Sequence, residues 1–119
     1  MSAAAPAVDT AVLMNAAGGD PAAFDMLSQT YLALAPGMHA QLQAALRAQD
    51  RAAIANASHA LKGCTMLVGA AALSASLQQL ESAARGGAAL PQLPQLDAQF
   101  DAVLDAVARN IGQMGAPQT

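Results

Sequence analysis

Between Phe24 and Leu46 the residues Phe24, Leu27, Tyr31, Leu34, Met38, Leu42 and Leu46 recur at steps of three or four without losing phase. Only an α-helix gathers such positions onto one face, and that face has to be covered by other elements. Asp20-Pro21 opens the stretch with an N-cap acceptor and a proline at the first helical position. Pro36 falls inside the pattern and must disturb it. Because the apolar face stays in register across it, the spacing predicts one kinked helix running to about Ala48.

The rest of the chain reads in the same period. Asp9 is an N-cap for a short helix carrying Val12, Leu13 and Ala16, stopped by Gly18-Gly19. Asp50 caps a further helix that ends near Gly69, with Ile54, Ala57, Leu61, Cys64 and Val68 as its inward stripe. From about Ala71 another turns Leu73, Leu77, Leu80 and Ala84 inward and stops at Gly86-Gly87; Glu81 and Arg85 form an i,i+4 pair on it. A loop with Pro91 and Pro94 leads to a last helix over roughly 94–111. It buries Leu96, Phe100, Val103, Leu104, Val107 and Ile111 and shows Asp97, Asp101 and Asp105 to water. The sequence has no internal repeat, second domain or convincing strand. The expected architecture is all-α: an antiparallel up-down four-helix bundle with a short extra N-terminal helix, spanning 9–112 between flexible tails 1–8 and 113–119.

Composition agrees. Half of the 55% hydrophobic fraction is alanine, the best helix former, and aromatics make up only 3%. A net charge of -3 without a basic cluster argues against nucleic acid. The longest apolar run, Met66 to Leu73, is half a membrane span and contains Gly69, so no membrane insertion is expected. The N-terminus lacks the charged and apolar regions of a signal peptide. A lone cysteine, Cys64, sits on the inward stripe as a small core residue and fits a reducing cytoplasm. His39 lies off its stripe, has no ligand-like companion and is expected to be exposed. A metal or haem bundle would need paired acidic and histidine ligands on facing helices, whereas the sequence holds one Glu and two His in different phases.

His59 is the position that carries chemistry. At about 100° per residue it projects roughly 175° from the centre of the Ile54–Val68 stripe, onto the solvent face. Lys62 and Gly63 follow at i+3 and i+4 on that face, and Met66 lies one turn further. Imidazole is the side chain whose ordinary pKa lies near neutrality, so much of it is an uncharged nucleophile in the cytoplasm. Phosphoryl transfer needs positioning and charge neutralisation more than covalent help, and Lys62 supplies one positive charge. Gly63 inside a helix costs about 1 kcal/mol against alanine, which calls for a reason such as close approach by a partner or a neighbouring helix. The surrounding face, with Ala52, Ala55 and Asn56, is small and weakly charged, as suits a transient protein contact. No acidic residue flanks His59 within a helical turn.

The run His59-Ala-Leu61-Lys62-Gly63, followed by Val68-Gly69-Ala70, Leu73 and Leu80-Glu81, resembles the histidine-containing phosphotransfer (HPt) family of two-component phosphorelays. Gly18-Gly19-Asp20, Phe24, Leu27, Pro36 and Leu42 extend the likeness over about 9–110. The resemblance implies that His59 accepts a phosphoryl group from a receiver-domain aspartate and passes it on, with Lys62 near the phosphate. It also implies that Gly63 lets the receiver approach and that Glu81 faces the histidine's neighbourhood. Ala55, Asn56, Gly63 and Met66 are the expected partner contacts. Met66 and Leu67 stand where small or polar residues are common, and Cys64-Thr65 replaces a frequent Ser-Ala type pair; these departures bear on partner choice.

On this reading the chain is a phosphocarrier without kinase activity, expected as a monomer that binds no cofactor or metal, with Mg2+ brought by the partner receiver. Its partners would be response-regulator receivers and a hybrid sensor kinase, in cis or in trans. The location would be the cytoplasm, free or as the terminal domain of a membrane-bound hybrid kinase. The alternative is an adaptor bundle that binds receivers or kinases without carrying phosphate.

Overall fold

The computed structural model describes residues 7–113. Five helices follow one another: α1 Thr10–Ala16, α2 Pro21–Ala48, α3 Arg51–Leu67, α4 Ala71–Gly86 and α5 Leu96–Asn110. No strand occurs among the described residues.

Each of the first three helices starts where an aspartate in extended backbone caps it. Asp9, Asp20 and Asp50 accept from the N–H groups of Ala11, Ala22 and Ala53 at 3.0, 3.2 and 3.1 Å, contacts of a kind that contributes about 1 kcal/mol each. α2 runs through Pro36 unbroken. Pro36 and Gly37 are both exposed, so the proline ring lies on the solvent side of the helix. α4 stops as expected, with Gly87 in the left-handed region at φ +71.

Cross-helix contacts fix the directions. Only Gln49 and Asp50 join α2 to α3, and the two helices pack together through Tyr31 on Thr65 and Met38 on Cys64, so they run oppositely. Arg51 reaches the Ala83 carbonyl while His59 reaches Glu81, which makes α3 and α4 an antiparallel hairpin. His39 bonds Asp97 and Asp25 accepts from the Gly112 N–H, so α2 and α5 also run oppositely. The shared core holds Phe24, Leu42, Ile54, Leu61 and Leu77, all without exposure. Each such side chain stabilises the fold by about 1.5–3 kcal/mol.

The structure corrects the sequence reading at several points. The buried face of α2 is Phe24, Ser28, Tyr31, Ala35, Leu42 and Ala45, and Leu34 is exposed. That of α3 is Ile54, Ala55, Ser58, Leu61 and Thr65; Ala57 and Cys64 are only half-buried. Both stripes are turned by about one position, because small and hydroxyl-bearing residues occupy core sites where α2, α3 and α4 pack closely. In α5, Ala106 is buried while Leu104 and Ile111 are half-buried. Val8, assigned to a tail, is buried in the core, and the Asp9 N–H donates to the Gly69 carbonyl at 2.9 Å. Residues 1–6 and 114–119 of the expected tails lie outside the described residues. His39 is not the exposed residue expected. Its side chain is 12% exposed, stacks on Phe100 with centroids 4.2 Å apart, and bonds Asp97 at 2.8 Å.

The Tyr31 hydroxyl and Thr65 Oγ1 hydrogen-bond at 3.1 Å inside the core, and burial pushes the phenol up to about 12. Tyr31→Phe leaves Thr65 without its buried partner and is expected to cost about 1–2 kcal/mol in urea unfolding. Adding Thr65→Val should recover most of that loss, because both polar partners are then gone. A double variant as unstable as the sum of the singles would contradict the pairing.

Candidate functional site

His59 lies eight residues into α3, beside the buried face of Ile54, Ala55, Ser58 and Leu61 on the side turned towards Glu81, and its side chain is 64% exposed. The α3–α4 turn, with Gly69 at φ +73 and Val68 and Ala70 buried beside it, folds α4 back along α3. Positions 59 and 81 stand equally far from Ala70, so the hairpin brings them level. Glu81 Oε2 sits 2.9 Å from His59 Nδ1. The local sequence around His59 holds no carboxylate; the neighbouring helix supplies it.

Glu81 is nearly buried, with a side chain 10% exposed, and it is the sole glutamate of the sequence. Lys62 Nζ donates to Oε1 at 2.8 Å and Arg85 Nε to Oε2 at 3.1 Å. The Lys62 hydrogen bond holds the carboxyl down at about 2, against burial, with help from Arg85 and the nearby His59. Glu81 is therefore an ionised, acceptor-only group at neutral pH. A carboxylate can only accept from Nδ1, so Nδ1 carries the ring hydrogen. In the neutral ring Nε2 then holds the lone pair, and it makes no protein hydrogen bond among the described residues.

Lys62 is not the free surface charge that its position in α3 suggests. Its side chain is 16% exposed, and Nζ also donates to Gln78 Oε1. The Gln78 amide is oriented in turn by donating to Ser82 Oγ at 2.8 Å. Gln78 and Ser82 are participants that the sequence reading missed; the signal was their i, i+4 spacing on the face of α4 that also carries Glu81.

The expected partner contacts divide. Asn56 and Gly63 are exposed, and Met66 is exposed at 57%. A Cβ built on Gly63 meets nothing within 4 Å, so no neighbouring helix requires the glycine. Ala55 is a correction: it is 2% exposed, on the α3 face turned into the core, and no partner can touch it. Cys64 is half-buried, its Sγ donates to the Leu61 carbonyl, and burial pushes the thiol up. It is a packing residue.

His59 is convexly displayed. Clefts of about 880 and 390 Å³ gather around Asp9 and Gly69, and neither includes His59, Lys62 or Glu81. No group of three His, Cys, Asp or Glu suited to a metal ion occurs among the described residues. Both Glu81 oxygens are committed to protein donors, a set unlike the oxygen shell that Mg2+ takes.

The carboxylate gives a pH test. Its folded value near 2 lies below its ordinary 4.5, so on acidification the unfolded chain binds the proton first. The stabilisation from ionised Glu81 is thus complete above about pH 4.5 and is lost as pH falls towards 2. The stability gap between the protein and Glu81→Gln, measured by chemical unfolding, is expected to narrow steadily across that window. A gap constant from pH 5 to pH 2 would contradict it.

An all-helical chain with an exposed histidine, a lysine one turn on and a carboxylate behind the ring defines a class. The Hpt domain family matches the chain over residues 26–110, and the chain belongs to that family. Membership gives it a phosphotransfer role in two-component signalling. The chain is similar to the crystal structure of histidine-containing phosphotransfer protein B (HptB) from Pseudomonas aeruginosa PAO1, with a TM-score of 0.65, 26% identity and 89% of each chain covered. Among curated proteins no sequence matches it. No helix among the described residues is long and apolar enough to cross a membrane.

Proposed function

We propose that the chain is a phosphorelay intermediate: His59 takes a phosphoryl group from a receiver-domain aspartate and yields it to another receiver. The observation that carries this is the Glu81–Nδ1 hydrogen bond, which leaves Nε2 as an exposed lone pair on a rigid helix. The Nε2 lone pair forms the new bond to phosphorus. The bond from phosphorus to the aspartate oxygen breaks, and its electron pair leaves with the carboxylate. No proton need move, since Nδ1 keeps its hydrogen on Glu81 throughout; the reverse transfer returns a neutral imidazole.

The helix directions support an antiparallel up-down bundle with α1 appended, which holds His59 at mid-height on a smooth flank. Open space over Gly63 and the exposed side chain of Met66, one and two turns along α3 from His59, give a receiver ground to dock on beside the ring. Mg2+ and the acceptor carboxylate are assigned to the receiver. The chain itself acts as a carrier without kinase activity, as a monomer in the cytoplasm, with a hybrid sensor kinase as the upstream source. Incubation with phosphorylated receivers tests this: an acid-labile, base-stable label on the chain supports the carrier. Binding without label would make it an adaptor.

A further inference from the structure

Glu81 divides its two oxygens between different tasks. Oε1 accepts from Lys62 alone, at 2.8 Å, while Oε2 accepts from both His59 and Arg85, at 2.9 and 3.1 Å. Departure of Lys62 therefore breaks neither of the bonds that hold the ring and the carboxylate in place. Lys62 is also held by Gln78, a neutral acceptor. One contact of its amine is thus a charge pair and the other is not.

Resting on the carrier reading, we propose that Lys62 is a transferable cation and that Arg85 makes its transfer possible. When Nε2 gains the phosphoryl group, a doubly charged oxygen cluster appears beside a lysine bound to a single carboxylate charge. Lys62 moves from Oε1 to the phosphoryl oxygens. Glu81 is nearly buried, and such a carboxylate stripped of every cation is strongly destabilised. Arg85, half-exposed and already on Oε2, stays behind as the compensating charge. Arg85 is thus a positioning residue that acts through Glu81 and does not touch the phosphoryl group. Without it Glu81 retains Lys62, and the phosphoryl group loses its cation.

Phosphoramidate tests this without a receiver. Its phosphorus–nitrogen bond, protonated on nitrogen, breaks as the Nε2–phosphorus bond forms, and ammonia leaves with the electron pair. Loading of His59 is followed by phosphorus NMR. Lys62 is the sole lysine of the sequence, so its Nζ signal in nitrogen NMR is unambiguous. Loading is expected to displace the Nζ signal in the unaltered chain, but to leave it in place in Arg85→Ala. In Glu81→Gln/Arg85→Ala the displacement should return, because a neutral amide cannot hold the ammonium by charge. Equal displacement in Arg85→Ala and the unaltered chain overturns the proposal, as does a loaded ring whose Lys62 signal never moves. A ring that takes no phosphoryl group at all overturns the carrier reading and this exchange together.

Discussion

His59→Gln is expected to abolish the phosphoryl label while leaving stability within about 1 kcal/mol of the unaltered protein. The loss of label follows from the nitrogen itself: an amide nitrogen has no available lone pair, whereas the Glu81 contact leaves imidazole Nε2 with one. The small stability effect follows from exposure. The ring is 64% exposed, and its removal does not orphan Glu81, which keeps Lys62 and Arg85. The glutamine amide can also donate to Oε2 in place of Nδ1. Label from a phosphorylated receiver, together with urea unfolding of both proteins, measures the two halves. His39→Gln is the contrast: its Nε2 is engaged by Asp97 and its ring is stacked on Phe100. That variant should keep full label and lose stability instead, by about 1 kcal/mol or more. Residual label on His59→Gln would locate the acceptor elsewhere and sink the assignment.

These two histidines show what the sequence could and could not reveal. Helix ends were legible because caps and glycines are local chemistry: Asp9, Asp20, Asp50 and Gly87 act within a few residues of where they stand. The outward phase of His59 was legible for the same reason, since a turn of helix fixes it. The finer rotation of α2 and α3 was not. Choosing stripes by hydrophobicity passes over Ser28, Ser58, Thr65, Ala35 and Ala45, which are buried because small side chains suit close helix packing. The hydroxyls of Ser28 and Ser58 have no hydrogen-bond partner among the described residues, and we have no physical account of why serine stands there. Contacts between helices were the least legible. Helical spacing made Glu81 only half of a pair with Arg85, and it took the family resemblance to turn it towards the histidine, where it is a nearly buried hub; His39 looked solvated and is clamped to α5. Such pairings depend on the register of the α3–α4 hairpin and the return of α5, which no local window contains.

That hairpin's turn carries the largest expected loss of stability from one methyl group. Gly69 has φ +73, and a Cβ built there would lie 2.5 Å from the Asp9 carbonyl oxygen and 2.9 Å from the Asp9 nitrogen. Gly18 has a similar φ, +69, but its Cβ would meet nothing within 4 Å. Both positions make alanine adopt the left-handed region, at about 1 kcal/mol. Only Gly69 adds a collision with backbone, which cannot swing aside as a side-chain tip does, and overpacking of this kind adds about 1–3 kcal/mol. Gly69→Ala should therefore lose about 3 kcal/mol in urea unfolding where Gly18→Ala loses about 1. Gly69→Asn, whose side chain tolerates the left-handed region, relieves the first effect but not the second and should stay close to the alanine variant. Moving Asp9 also breaks its hydrogen bond to the Gly69 carbonyl and loosens the start of α1. Amide exchange in Thr10–Ala16 should accelerate in Gly69→Ala beyond its global destabilisation. His59 and Glu81 face each other well down the hairpin from this turn, so the folded fraction should still accept label. Equal losses at positions 18 and 69 would mean that the backbone contact with Asp9 carries no weight, and that the turn needs glycine for its dihedral angle alone.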